Sequence, residues 1–308
     1  MNHKAAFLFM LIIFLPLTGL GQDHAWRLRH SGTVTTVGIN PLNPNTIFTV
    51  LHTFDDQEDS LIVSYDRGLT WATRAILPPS PYLRTIFVHT VDTLVIFGTN
   101  PNVMRSSDYG LTWNLVLEGS PSGIVPFVID PIHPDTLFAG REATGEVYRS
   151  IDRGITWEFI SEVGPDLCSL AIRPDSTNIL YAGWAGKISK STDGGFSWRL
   201  TTTTNADDIP FIVIDFSNPF VAYTTGHFEG KTHGTPRRED GSVWMTTDGG
   251  EHWVPAGAPG NTYWFMDIDR SSPAIPYISR LEGRGMLRST DQGMSWEVID
   301  QGTILLDR

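Results

Sequence analysis

Arg149-Ser150-Ile151-Asp152-Arg153-Gly154-Ile155-Thr156-Trp157 is the stretch from which the architecture of this chain can be read. A hydroxyl residue is followed two places on by Asp, two further by Gly, and three further by Trp. An Asp at the mouth of a turn accepts hydrogen bonds from backbone N–H groups a few residues on and closes the turn. Gly takes the positive φ that a tight hairpin needs and that a Cβ resists. Trp supplies a large apolar anchor where the next strand opens. The stretch therefore predicts a hairpin turn clamped by its own side chains.

The pattern recurs around Asp66, Asp108, Asp193, Asp248 and Asp291, each with a Ser or Thr two places before, a Gly two places after and a Trp five places after. With Asp152 the six aspartates are spaced by 42, 44, 41, 55 and 43 residues. Repeats of about 40 to 50 residues with strand-like content are the mark of a propeller blade. Before each turn stand two short apolar runs. The first often ends in Asp or Asn and Pro, as in Val37-Gly38-Ile39-Asn40-Pro41 and Phe127-Val128-Ile129-Asp130-Pro131. The second is of the kind Phe138-Ala139-Gly140 or Tyr181-Ala182-Gly183. A third strand leads into the clamped turn and a fourth leaves it at the Trp. The expectation is an all-β fold, a single β-propeller of four-stranded antiparallel blades, with six blades and seven as the alternative.

Lys4 precedes an apolar run from Ala5 to Leu17, and Gly19-Leu20-Gly21 offers small residues for cleavage. Residues 1–21 thus read as a secretory signal peptide, with the propeller over 22–308; the run is short for a membrane span. A secreted, periplasmic or cell-surface location follows, with no stable membrane insertion after cleavage. The chain has 22 Lys and Arg against 34 Asp and Glu, a net charge of −12, which argues against nucleic acid as a partner. The single cysteine, Cys168, has no internal partner and reads as a small strand residue of the core.

The six octets resemble the Asp-box (BNR) repeat of bacterial sialidases, sortilin-type receptors, xyloglucan-degrading glycosidases and photosystem assembly factors. The resemblance implies that the boxes lie between the third and fourth strands, on the face opposite the ligand site, so the six aspartates are structural. Ligand-binding candidates then fall on the other face: Tyr82, Arg84, Arg141, Trp184, His227, Arg237, Trp264 and Arg280. Aromatic faces beside arginines and carboxylates suit a sugar or a peptide. The longest loop, Gly226 to Asp240, accounts for the 55-residue step. His227 and His233 in it lack companion ligands for zinc, and neither metal nor cofactor is expected.

Asp166, Asp207 and Asp208, on links between blades, are the candidates for catalysis. The sialidases that the chain resembles use an arginine cluster, a Tyr–Glu pair and an Arg-Ile-Pro segment. That segment is absent here, and the sequence assigns no such pair. The xyloglucanases it resembles set two propellers face to face, whereas this chain has residues for one. The sequence therefore reads as an exported, non-catalytic binding or scaffold module for a protein, peptide or glycan, with a xyloglucanase-like or sialidase-like glycoside hydrolase as the alternative.

Overall fold

The computed structural model describes residues 32–53, 59–77, 83–89, 95–99, 102–119, 124–227, 243–258, 263–269, 274–280 and 286–299. The expected signal peptide and the loop over Gly230–Glu239 lie outside these residues. Among them are six four-stranded sheets, each antiparallel and each with its strands in chain order from one edge to the other. The third sheet comprises Ile124–Ile129, Leu137–Arg141, Glu146–Ser150 and Glu158–Glu162. The fourth comprises Leu167–Arg173, Ser176–Trp184, Lys187–Ser191 and Arg199–Thr203. The fourth strand of each sheet begins one residue after the Trp. No helix among the described residues is long and apolar enough to cross a membrane.

The chain divides into two compact units, residues 1–124 and 125–308. In the first, two sheets enclose a core of Phe48, Val50, Leu61, Val63, Leu77, Ile86 and Val88. In the second, four sheets stack through three cores. Phe138, Val147, Leu167, Leu170 and Leu180 lie between its first two sheets. Tyr181, Ile188, Ile209, Ile212 and Trp244 lie between the next two. Tyr223, Val243, Tyr263, Met266 and Leu287 lie between the last two. Within each unit adjacent sheets thus bury their facing sides against one another, as stacked repeats do.

The clamped turns have the hydrogen bonds that the octets predict. Ser64 Oγ donates to Asp66 Oδ1 (2.7 Å) and accepts from the N–H of Gly68 (2.7 Å). Asp66 Oδ1 accepts from the Thr70 N–H (2.8 Å), and Oδ2 accepts from Thr70 Oγ1 (2.6 Å). The same set recurs at Asp108, Asp152, Asp193 and Asp291. In the fifth turn His252 replaces the last hydroxyl, its Nδ1 lying 2.7 Å from Asp248 Oδ2. The residue before each Gly is also left-handed, at φ 61° for Arg67, Tyr109 and Arg153 and 59° for Gln292. The side-chain bonds therefore hold a backbone shape that non-glycine residues resist.

A second clamp closes the turn between the first and second strands. Asn40, Asp130 and Asp215 each accept two backbone N–H bonds from residues two and three places on. In the first, third, fourth and fifth sheets a backbone bond ties the paired turns together, as where Arg153 N–H donates to Asp135 O and Gly249 N–H to Phe220 O. Adjacent sheets are locked at the same level. An aromatic ring on a second strand packs beneath the glycine of the next clamped turn: Phe138 under Gly195, Tyr181 under Gly250, Tyr223 under Gly293. Tyr181 also donates its hydroxyl to Gly249 O (2.6 Å).

Two predictions follow from these locks. At Gly250, φ is +81° and a Cβ would stand 2.3 Å from the Tyr181 ring. Left-handed strain and overpacking together make Gly250→Ala cost about 3 kcal/mol, read as a lower urea midpoint with an unchanged slope. Hydrogen bonds from the Thr70 and Ser295 hydroxyls and N–H groups hold Asp66 and Asp291 well below the ordinary carboxylate range, each at about 2. A depressed folded-state pKa gives stability that is complete above about pH 4 and lost as pH falls toward about 2. Thermal midpoints should fall over that window, and Asp66→Asn with Asp291→Asn should flatten the fall while lowering the midpoint at neutral pH.

Candidate functional site

The strand register sorts the candidate residues by end. Asp208 pairs with His227 at the start of the fifth sheet, and Leu167 with Trp184 at the start of the fourth. Both pairs lie at the end opposite the clamped turns. There the first strands carry register shifts, between Leu167 and Ser169 and between Asp208 and Phe211. Such bulges re-aim side chains that strict alternation would place elsewhere. Arg84, Trp264 and Arg280 occupy strands at the same end of their sheets, Leu83–Val88, Tyr263–Ile268 and Pro276–Arg280. Tyr82 and Arg237 lie outside the described residues.

Four residues meet between the fourth and fifth sheets. The Cys168 thiol donates to the carbonyl oxygen of Asp166 (3.1 Å) and lies 3.9 Å from Asp208 Oδ1. Asp208 Oδ2 is 3.7 Å from His227 Nδ1. The neighbouring Asp207 is exposed, and its N–H donates to the carbonyl oxygen of His227 (2.9 Å). Asp166 is also exposed and takes a left-handed φ of 60°. Leu167 N–H donating to Glu142 O (2.9 Å) fixes that corner to the preceding sheet. The Asp208 carboxylate, the His227 imidazole and the Cys168 thiol thus share one seam, and Asp166 and Asp207 join it through their backbone groups. Such groups can accept, hold and return a proton at a bound hydroxyl or glycosidic oxygen.

Cys168 departs from its expected place in the core: it is half-exposed, while Leu167 and Ser169 on either side are buried. The bulge at this point turns its side chain toward the seam, and nothing in the residue types announces a bulge.

Arg141 belongs to a separate cluster. It forms an ion pair with Glu146, which also accepts from the Tyr148 hydroxyl (3.3 Å), and its guanidinium stacks 4.8 Å from the Tyr148 ring centroid. A Tyr–Glu pair beside an arginine does therefore exist, although the sequence alone did not reveal it. Burial pushes the Tyr148 hydroxyl up, the Arg141 charge opposing and Glu146 adding to the effect, which is the reverse of an activated nucleophile. Burial works against Glu146 ionisation, but hydrogen bonds led by that from Arg141 outweigh it and lower its pKa. The cluster holds the turn between two strands and has no poised nucleophile.

Trp184 is likewise engaged. A Cβ on Gly164 would stand 2.4 Å from its six-membered ring, and Lys187 Nζ lies 4.2 Å from its ring centroid. Its Nε1 donates to Ser189 Oγ (3.0 Å). The ring is a buttress between loops. The six clamp aspartates spend their carboxylates on their own turns, at the other end of the sheets. Among the described residues, no three of His, Cys, Asp and Glu stand close enough together to hold a metal ion.

No family model matches the chain. It is 24% identical over 294 residues to the xyloglucanase Xgh74A of Acetivibrio thermocellus, an alignment covering 86% of this chain and 32% of that protein. The chain therefore spans about a third of that relative's length. Among solved structures, an ancestral GH74 enzyme matches 88% of this chain and 38% of its own at a TM-score of 0.67 and 17% identity. A structure of YCF48 bound to D1 peptide matches 83% of this chain and 77% of its own at a TM-score of 0.59 and 19% identity. Likeness at these identities speaks to fold alone, and it agrees with a β-propeller.

The packing around Trp184 makes a prediction that separates buttress from binding platform. Trp184→Ala should lower the unfolding free energy by about 2 kcal/mol in chemical denaturation, through loss of half-buried ring contacts.

Proposed function

We propose that this chain is a glycan-directed propeller of the xyloglucanase kind, a glycoside hydrolase module whose sugar-facing side is the end carrying Asp166, Asp207 and Asp208. The six sheets are read as the blades of one ring, and the six clamped turns as Asp-boxes with a purely structural role. The observation that carries the reading is the sequence similarity to a protein named xyloglucanase, which runs along 86% of this chain. The geometry supports it: the clamp carboxylates are consumed by their turns, while Asp166 and Asp207 are exposed and Asp208 sits 3.7 Å from an imidazole nitrogen.

Hydrolysis of a glycosidic bond needs one carboxyl group to protonate the leaving oxygen and a second to activate water or form a glycosyl intermediate. In this reading Asp208 supplies one of the two carboxyl groups, and Asp207 or Asp166 supplies the other. In this reading the chain acts outside the cytoplasm, the apolar run from Ala5 to Leu17 serving as its export signal.

A second reading is a non-catalytic module that binds a protein, peptide or glycan. It is favoured by the extent of the YCF48 match, which takes in 77% of that chain rather than about a third.

Incubation with xyloglucan, read by release of reducing ends, tests both. The expected result is turnover that falls at least about 100-fold in an Asp207→Ala, Asp208→Ala double variant. Binding to xyloglucan without turnover would support the second reading, and neither binding nor turnover would overturn the first.

A further inference from the structure

The backbone that carries Asp208 is fixed from several directions. Thr204 N–H donates to Gly186 O (2.8 Å) and Ala206 N–H to Thr204 Oγ1 (3.1 Å), which seats the link before Asp208 against a hairpin of the fourth sheet. A Cβ on Gly226 would stand 2.6 Å from the Ala206 Cβ, so the second strand of the fifth sheet closes on the same link. Asp207 N–H then donates to the carbonyl oxygen of His227 (2.9 Å). Held in this way, Asp208 and His227 occupy a directly paired position of the ladder. Residues so paired carry their side chains on the same side of the sheet.

The backbone being set, what is left to the Asp208 carboxylate is rotation about its own side-chain bonds. Among the described residues, the His227 imidazole and the Cys168 thiol are the side chains that approach it, one at each oxygen. Nδ1 lies 3.7 Å from Oδ2, and Sγ lies 3.9 Å from Oδ1. The thiol proton is engaged by Asp166 O at 3.1 Å. Of the two neighbours, the imidazole is therefore the one that can direct a proton at Asp208. Its side chain is 14% exposed against 31% for Asp208, so the ring stands deeper in the seam than the carboxylate. A separation of 3.7 Å is longer than a hydrogen bond, and contacts of this kind commonly tighten once a ligand is bound.

We infer that His227 is a positioning residue for Asp208, holding its carboxylate in one orientation toward the seam. This role presupposes Asp208 as one of the two reacting carboxyl groups. His227 acts through Asp208 and not on the substrate. Its effect can be large, because a displacement of about 1 Å at a reacting group can cost about 100-fold in rate.

Two measurements test the role. On xyloglucan, His227→Ala should lower kcat at least about tenfold with KM within about twofold. His227→Asn, whose amide nitrogen stands close to where the imidazole has Nδ1, should recover most of that loss. A side chain that only supported the fold would lower the thermal midpoint without dividing kcat from KM in this way. The second measurement needs no turnover: it is the rate at which N-ethylmaleimide modifies Cys168. Without the imidazole the Asp208 carboxylate can turn onto the thiol, and a nearby negative charge disfavours the thiolate that reacts. His227→Ala should therefore slow modification at least about threefold, yet change it little in an Asp208→Asn background. Should His227→Ala fail to fold, His227→Phe keeps a ring, removes both nitrogens and provides the same readouts. A wild-type chain without turnover would sink the hydrolase reading and leave the thiol rates to decide the positioning. An active enzyme whose kcat is indifferent to His227, a loss that Asn does not recover, or thiol rates that respond equally with and without the Asp208 carboxylate would overturn the inference.

Discussion

A carboxylate held by its own turn is the interaction on which the rest of this structure depends. Each clamp aspartate accepts hydrogen bonds from a backbone N–H and from hydroxyls or, once, an imidazole, and the hydroxyl before it captures the glycine N–H. Charge-assisted bonds of this kind are about twice as strong as neutral ones. They hold two successive residues at positive φ, which lets the third and fourth strands reverse within a few residues. The glycine so fixed then receives an aromatic ring from the neighbouring sheet. Local turn chemistry and inter-sheet packing are thereby one device: loosening the turn also withdraws the surface on which the next ring rests.

The two ends of the sheets consequently serve different purposes. At the clamped end every sheet has its clamp, and the first, third and fifth add a second side-chain lock at Asn40, Asp130 and Asp215. At the other end the first strands are bulged, and polar residues from adjacent sheets converge: Asp166, Cys168, Asp208 and His227. Glycines in the second strands bring the sheets close there. A Cβ on Gly183 would stand 2.5 Å from Ile209 of the next sheet, which draws the first strand of that sheet, and with it Asp208, toward Cys168. Repeat stacking fixes the scaffold, and irregularity at one end supplies the chemistry.

Much of the fold was legible because its determinants are local. Ser150, Asp152, Gly154 and Trp157 lie within eight residues, and their spacing alone specifies the turn. Asn40 and Asp130 before their prolines announced the companion turn in the same way. The candidate site was less legible because its determinants are not local. The end of the sheets was inferable for Arg141, Trp184 and His227 from their strand positions. Their partners were not: Lys187 beside Trp184, Glu146 and Tyr148 around Arg141, and Asp208 near His227 are set by loop packing and register. Cys168 is the clearest case, since a small apolar residue in a strand reads as core, whereas the structure sets it at a register shift and half-exposed.

That outward thiol has a practical consequence. Cys168 is the only cysteine in the chain, it is half-exposed, and it lies 3.9 Å from Asp208. A maleimide or fluorinated tag would therefore attach at one position, within the seam rather than at the clamped turns. Its emission or resonance would report directly on whatever enters between the fourth and fifth sheets, without any engineered attachment point.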